Sequence, residues 1–249
     1  MSYIKYQPSP NVIGGTTTKN QGNLSFTVGD DPQEVLLRRQ ALAKELNIDL
    51  SRFVFARQQH TDKIQKVTFQ DAGKGAFSHE EGIPLVDGLY TFDEHLVLAF
   101  FHADCVPILL HDPISGLIGA IHSGWQGTLS EITRKALDQI KSEENVQLDN
   151  LQVYVGPCLS FENSAVNDDI NNYLKDSTFD KTPYIKKDGD SYSIDTRGLT
   201  LKMLHDAGIN KENIINLQED TFDRKDLYFS FQREHQTGRH LSFIYKIRD

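Results

Sequence analysis

The sequence predicts an α+β fold, a single domain over residues 1–249 in which mixed β-sheets are flanked by helices. Three observations predict it. Apolar runs suited to strands interleave irregularly with amphipathic helical runs, without the regular strand–helix–strand winding of a parallel α/β sheet. Several apolar runs are separated by turns short enough for hairpins. No repeat, low-complexity tract or Pro/Gly/Ser-rich linker divides the 249 residues, a length that can bury one sizeable core.

The elements follow in order. The first sixty residues carry the least information, apart from PQEVLLRRQALAKELNI. From Pro32, that run places Val35, Leu36, Leu42 and Leu46 near helical spacing. RFVFARQQH, with Phe53 and Phe55 alternating, predicts a strand that ends at His60. Asp71 to Pro84, rich in Gly, His and Glu, reads as a loop. DGLYTFDEHLVLAFFHAD predicts a short strand, a turn in which Asp87 takes part, and a buried strand from Leu96 to Phe101. PILLH and LIGAI add two more strands. TLSEITRKALDQIKSE aligns Leu129, Ile132, Ala136 and Ile140 on one face of a single helix. LQVYVG is a further strand. Asp195 is placed to cap a helix over TRGLTLKMLHDAG, which Gly208 would close. DLYFSFQRE and HLSFIYKI read as final strands around the turn HQTGR.

Composition narrows the function. Hydrophobic residues make up 38% and charged residues 24%, the balance of a soluble globular protein. The longest apolar run, LVLAFF, is far short of the about 20 residues that span a bilayer. The N-terminus shows no apolar segment of a secretory signal, and two cysteines without a CxxC make no disulfide framework. A cytoplasmic protein without membrane contact is expected. A formal charge of -9 argues against nucleic acid as partner, because such binding relies on neutralising phosphates. No segment points to a protein partner.

The chemistry concentrates at the ends of apolar runs, where a rigid scaffold can present it. His60, Cys105 and His122 each close or follow such a run. Thiolate and imidazole are the usual ligands of zinc, and three of them leave a fourth position open. The same residues also suit nucleophilic catalysis, with Cys105 as thiolate and His122 or His60 as its base. Pattern alone does not separate the two, nor either from a buried core thiol with structural histidines. Asp104 and His102 flank Cys105 and, in an extended segment, would face away from it. Gly124 and Gly127 around Trp125 allow a tight strand-to-helix turn. The helix start there offers free N–H groups to an anion, and simple capping accounts for the same residues. Arg233 and Arg239 bracket REHQTGR and are candidates for holding phosphate oxygens, as is Arg57.

Taken together, QQH, DGLYT, ADCVPILLHDP, IHSGWQG, VGPCLSFENSAV, DTRGLTLKML and FSFQREHQTGRHLSFI resemble, in order, the motifs of the YfiH/laccase-domain family. The likeness runs from about His60 to the C-terminus, with ADC and HSGW its most specific parts. The resemblance implies an α+β domain and a zinc site made by His60, Cys105 and His122. It also implies phosphorolysis of adenosine, inosine, guanosine and methylthioadenosine, together with adenosine deamination. The small-molecule partners would then be a nucleoside and phosphate. Cys105 and His122 would be catalytic, Asp104 a proton shuttle, and Phe101 or Trp125 an aromatic surface for the base. Other activities linked to the family or its chemistry are cell-wall precursor quality control, copper-dependent polyphenol (laccase) oxidation and cysteine hydrolysis. Copper is the lesser cofactor expectation, since laccase chemistry needs further coppers and the histidines form no HxH pairs to hold them. The chain departs from the family pattern at Gln126 and Gln232, each standing where an arginine is usual, and at Asp220 and Thr221 in place of Cys-Thr. Glutamine cannot make charge-assisted bidentate bonds, so a phosphate site here rests on the remaining arginines.

Overall fold

A computed structural model of the chain describes residues 2–167, 169–175 and 177–247. The uninformative N-terminal segment forms an antiparallel hairpin of β1 (Tyr3–Ser9) and β2 (Val12–Thr17). Its strand pattern is hidden because two glycines stand where apolar residues would have shown it. A Cβ at Gly15 would lie 2.2 Å from the Ile4 carbonyl oxygen, so the close pairing demands glycine. Helix α1 (Pro32–Glu45) begins as its sequence predicts, with Asp31 accepting the Gln33 N–H and proline in the first turn.

Strand β3 (Phe53–Arg57) stops three residues short of His60. A short β4 (Ile64–Lys66) follows, then a 3-10 turn (Phe69–Asp71) that leads into the predicted loop, which contains a second (His79–Glu81) and ends in β5 (Ile83–Pro84). The next four strands match their apolar runs: β6 (Gly88–Thr91), β7 (Val97–His102), β8 (Val106–His111) and β9 (Ile118–Ser123). The helix expected as one piece is two, α2 (Trp125–Leu129) and α3 (Ile132–Glu144). Glu131 takes a left-handed conformation between them (φ 64°), because its carboxylate is drawn into contacts with Thr178, Lys181 and Arg134. Beyond β10 (Gln152–Val155) come α4 (Asn171–Leu174) and a hairpin of β11 (Ile185–Asp188) and β12 (Ser191–Ile194). Helix α5 (Thr196–Asp206) has Asp195 as its cap, the carboxylate accepting the Gly198 N–H at 2.7 Å. After β13 (Ile214–Asn216), DLYFSFQRE corrects the prediction: it is turn and a short helix, α6 (Phe231–Glu234), and not a strand. Ser230 caps that helix, and Arg233 folds back onto the carbonyls of Thr221, Phe222 and Tyr228, which bends the chain. Strand β14 (His240–Lys246) completes the chain's elements.

Two six-stranded mixed sheets result, ordered β1-β2-β14-β7-β3-β5 and β13-β10-β8-β9-β6-β4. They pack face to face, with Val54, Leu98, Phe100 and Ile244 of the first against Leu89, Leu109, Ile118 and Tyr154 of the second. Helix α1 covers the outer face of the first sheet through Leu42 and Ala43, against Phe53, Phe55 and Phe243. Helices α3 and α5 cover the second through Ile132, Leu137, Ile140 and Leu204. Each buried Leu, Ile, Val or Phe side chain among these contributes about 1.5–3 kcal/mol. The arrangement is the mixed-sheet α+β fold that the sequence predicts.

Candidate metal centre

The topology explains how distant residues meet. Strands β3 and β7 are parallel neighbours, so the segments leaving both emerge at the same end of the first sheet. The segment after β3 carries His60, and the one after β7 carries Cys105 as the chain crosses to β8 of the second sheet. His122 lies near the end of β9, opposite Pro107 of β8.

The three predicted donors do meet: one ligand atom from each of His60, Cys105 and His122 lies within 4.8 Å of the others. Cys105 Sγ is 3.9 Å from His60 Nε2, and the two imidazole rings are edge-to-face with centroids 5.0 Å apart. Among the described residues this is the one such cluster of metal-capable side chains. A tetrahedral zinc with sulfur at about 2.3 Å and nitrogen at about 2.0 Å fits donors at these separations after a small closure. Gly124 makes the space. A Cβ on it would lie 2.3 Å from His60 Cδ2 and 3.2 Å from Cys105 Sγ, so any larger residue would push into the donors.

Asp87, read from the sequence as part of a turn, organises the centre. It is 1% exposed, and its carboxylate accepts the backbone N–H groups of Gln59 (3.1 Å), His60 (3.0 Å) and Thr61 (2.7 Å). It also accepts the Thr61 hydroxyl at 2.9 Å and the His122 Nδ1–H at 2.9 Å. One carboxylate therefore fixes the His60 loop, including the positive φ of His60 (58°), and the orientation of the His122 ring. Burial acts to raise the Asp87 pKa, but these bonds, His122's first, outweigh it and bring it down to about 2. Burial likewise opposes charge on Cys105 and His122. Their mutual attraction overcomes it, lowering the thiol's pKa and, with Asp87, raising that of the imidazole. A divalent cation held by the thiolate and the two imidazoles would displace the protons they otherwise carry.

The donors open onto a cavity of about 790 Å³. Trp125, Gln126, Gln232 and Arg239 line it, as do Phe101 and Phe231. His102 and Asp104 line it too, against the expectation that they face away, because a positive φ at Asp104 (88°) breaks the extended conformation. Asp104 is buried; its oxygens accept the Thr221 hydroxyl at 2.6 Å and the Gln232 N–H at 2.7 Å. Burial raises its pKa against those bonds. Two arginines singled out from the sequence do not line the cavity. Arg57 pairs with Glu80 at 3.1 Å, and the Arg233 guanidinium is spent on three carbonyls and Glu234. Arg239 remains as the arginine on the cavity wall, donating to the Thr237 and Gly238 carbonyls. The helix start at Gly124 is short, five residues in α2, and Thr128 caps back onto the Gly124 carbonyl and Ser123.

Two face-to-face mixed sheets with a Cys-His-His cluster where they meet define the class: an α+β protein with a metal-capable centre in a large cavity. The chain belongs to the multi-copper polyphenol oxidoreductase laccase family, whose model matches residues 13–246. The purine nucleoside phosphorylase YlmD of Bacillus subtilis is 32% identical over 254 residues, covering 96% of this chain and 90% of that one. A purine nucleoside phosphorylase of Staphylococcus epidermidis is 30% identical over 255 residues, with 97% and 95% covered. The crystal structure of YlmD from Geobacillus stearothermophilus superposes with a TM-score of 0.91 at 30% identity, over 100% of this chain and 97% of that one. YfiH of Bacillus licheniformis gives 0.90 at 29% identity, over 98% and 99%. Among the described residues no helix is long and apolar enough to cross a membrane.

Proposed function

We propose that the chain is a zinc-dependent purine nucleoside phosphorylase that also deaminates adenosine, with His60, Cys105 and His122 as the metal ligands. The observation that carries the reading is the cluster of these three donors, braced by Asp87, on the wall of a cavity large enough for a nucleoside and phosphate. The names of the relatives support the substrate class. Zinc is preferred to copper because the described residues offer one donor cluster, whereas multicopper oxidation needs several.

Bound there, zinc supplies Lewis-acid polarisation beside the substrate. The protein's own groups do the rest. Arg239 gives phosphate a cationic partner, and Trp125 forms part of the apolar wall. In phosphorolysis a phosphate oxygen bonds to the anomeric carbon while the C–N bond breaks, its electron pair leaving with the base, which is then protonated. Asp104 holds α6 and the Thr221 loop against the cavity through its two accepted bonds. The cysteine-hydrolase reading loses ground because ligation would occupy the Cys105 thiolate.

The test is chromatography of adenosine and inosine incubated with zinc-loaded protein, with and without phosphate, beside Cys105→Ala. Phosphate-dependent free base and ribose 1-phosphate, absent from the variant, are expected. Nucleosides that survive intact in every sample would overturn the proposal.

A further inference from the structure

We infer that Phe231 is the platform on which the substrate's heterocyclic base stacks, an inference that deepens the nucleoside reading and rests on it. Three aromatic side chains on the cavity wall are candidates, and their surroundings differ. Phe101 is already stacked on Phe55, with centroids 5.0 Å apart and planes 2° from parallel. Trp125 meets the edge of Tyr173 at 5.0 Å. Phe231 is 46% exposed. The perpendicular His235 ring meets it at 5.4 Å and the Arg239 guanidinium lies over it at 5.5 Å, and among the described residues no aromatic ring is stacked in parallel on it. An exposed apolar ring without a stacked partner is the surface that a planar heterocycle would cover.

The backbone that carries the ring is also held in place, as a stacking surface needs. Ser230 caps α6, the Gln232 N–H donates to Asp104 at 2.7 Å, and Arg233 ties the preceding turn to three carbonyls. Asp104 precedes Cys105 in the chain, so the platform is registered to the metal donor through one residue. The exposed Phe69 offers the contrast: it is 49% exposed with Arg52 over its ring at 4.4 Å, yet it does not line the cavity.

Trp125, the sole tryptophan, lines the same cavity, so its fluorescence reports occupancy directly. Adenosine and ribose 1-phosphate would be titrated into the zinc-loaded wild type, Phe231→Ala, Phe231→Tyr and Phe69→Ala, with turnover measured alongside. Phe231→Ala should weaken adenosine roughly tenfold, as loss of one base–aromatic stack does. It should leave ribose 1-phosphate within about twofold, since that molecule carries no base. Phe231→Tyr and Phe69→Ala should bind both like the wild type. The platform is overturned if Phe231→Ala binds adenosine normally, or loses adenosine and ribose 1-phosphate in equal measure. If the wild type turns over nucleosides while Phe231→Ala keeps its affinity, the platform alone falls. A metal-loaded wild type that neither binds nor converts any nucleoside removes the nucleoside reading and the platform together.

Discussion

Asp87 and Gly124 govern the centre without ligating anything. Removing the Asp87 carboxylate frees the His60 loop and the His122 ring at once, so Asp87→Ala should weaken zinc about 10–100-fold. Asp87→Asn, which keeps some of the acceptor capacity, should fall between. Competition against a chromogenic chelator measures this, and an unchanged affinity in Asp87→Ala would refute the role. Gly124 has an ordinary backbone (φ -73°), so Gly124→Ala should leave the fold intact and act only through its methyl group, which meets His60 and Cys105. Zinc content should drop while the circular dichroism spectrum stays that of the wild type. The donors were legible in the sequence because thiol and imidazole are rare, chemically specific types placed at the ends of apolar runs. Asp87 was not, since an Asp-Gly pair serves a turn equally well. Arg57 and Arg233 show the converse: the residue type suggested an anion site, but Glu80 and backbone carbonyls take up much of their donor capacity.

Elements were legible where one face is buried and periodic. Helix α1 and strands β7, β8 and β9 follow their apolar patterns, whereas β1 and β2 escaped notice because their close pairing requires glycine. The break between α2 and α3 escaped because its cause lies some fifty residues away in sequence, at Lys181. Glu131 and Lys181 form a buried ion pair at 2.6 Å, with side chains 3% and 2% exposed. Glu131→Gln leaves that ammonium uncompensated and should cost about 3–5 kcal/mol in urea unfolding near neutral pH. The pH dependence has a definite sign. Burial tends to raise the Glu131 pKa, but Lys181, Thr178 and Arg134 outweigh it and bring it from 4.5 to about 2 in the fold. Its stabilisation is therefore complete above the unfolded value and lost as pH falls toward 2. The deficit of Glu131→Gln should shrink over that window; a constant deficit down to pH 2 would contradict the assignment.

At the scale of the whole molecule, the donors join the two sheets. His60 and Cys105 lie on segments leaving strands of the first, and His122 belongs to a strand of the second. A bound metal is then a cross-link between layers otherwise held by side-chain packing. Zinc at about 100 times its dissociation constant should stabilise by about 2.7 kcal/mol. That corresponds to a rise in Tm of about 5–10 °C for a chain of this size. Cys105→Ala should show no such rise in calorimetry, and an equal shift in both proteins would place the metal elsewhere. The Asp87 clamp also bears on how quickly the centre fills. His60 and His122 are already tethered to one buried carboxylate, so uptake need not wait for a loop to search for its closed form. For a metal taken up there, exchange of its water for sulfur and nitrogen would be the slow event, and the rate of loading should follow the water-exchange rate of whichever metal is offered.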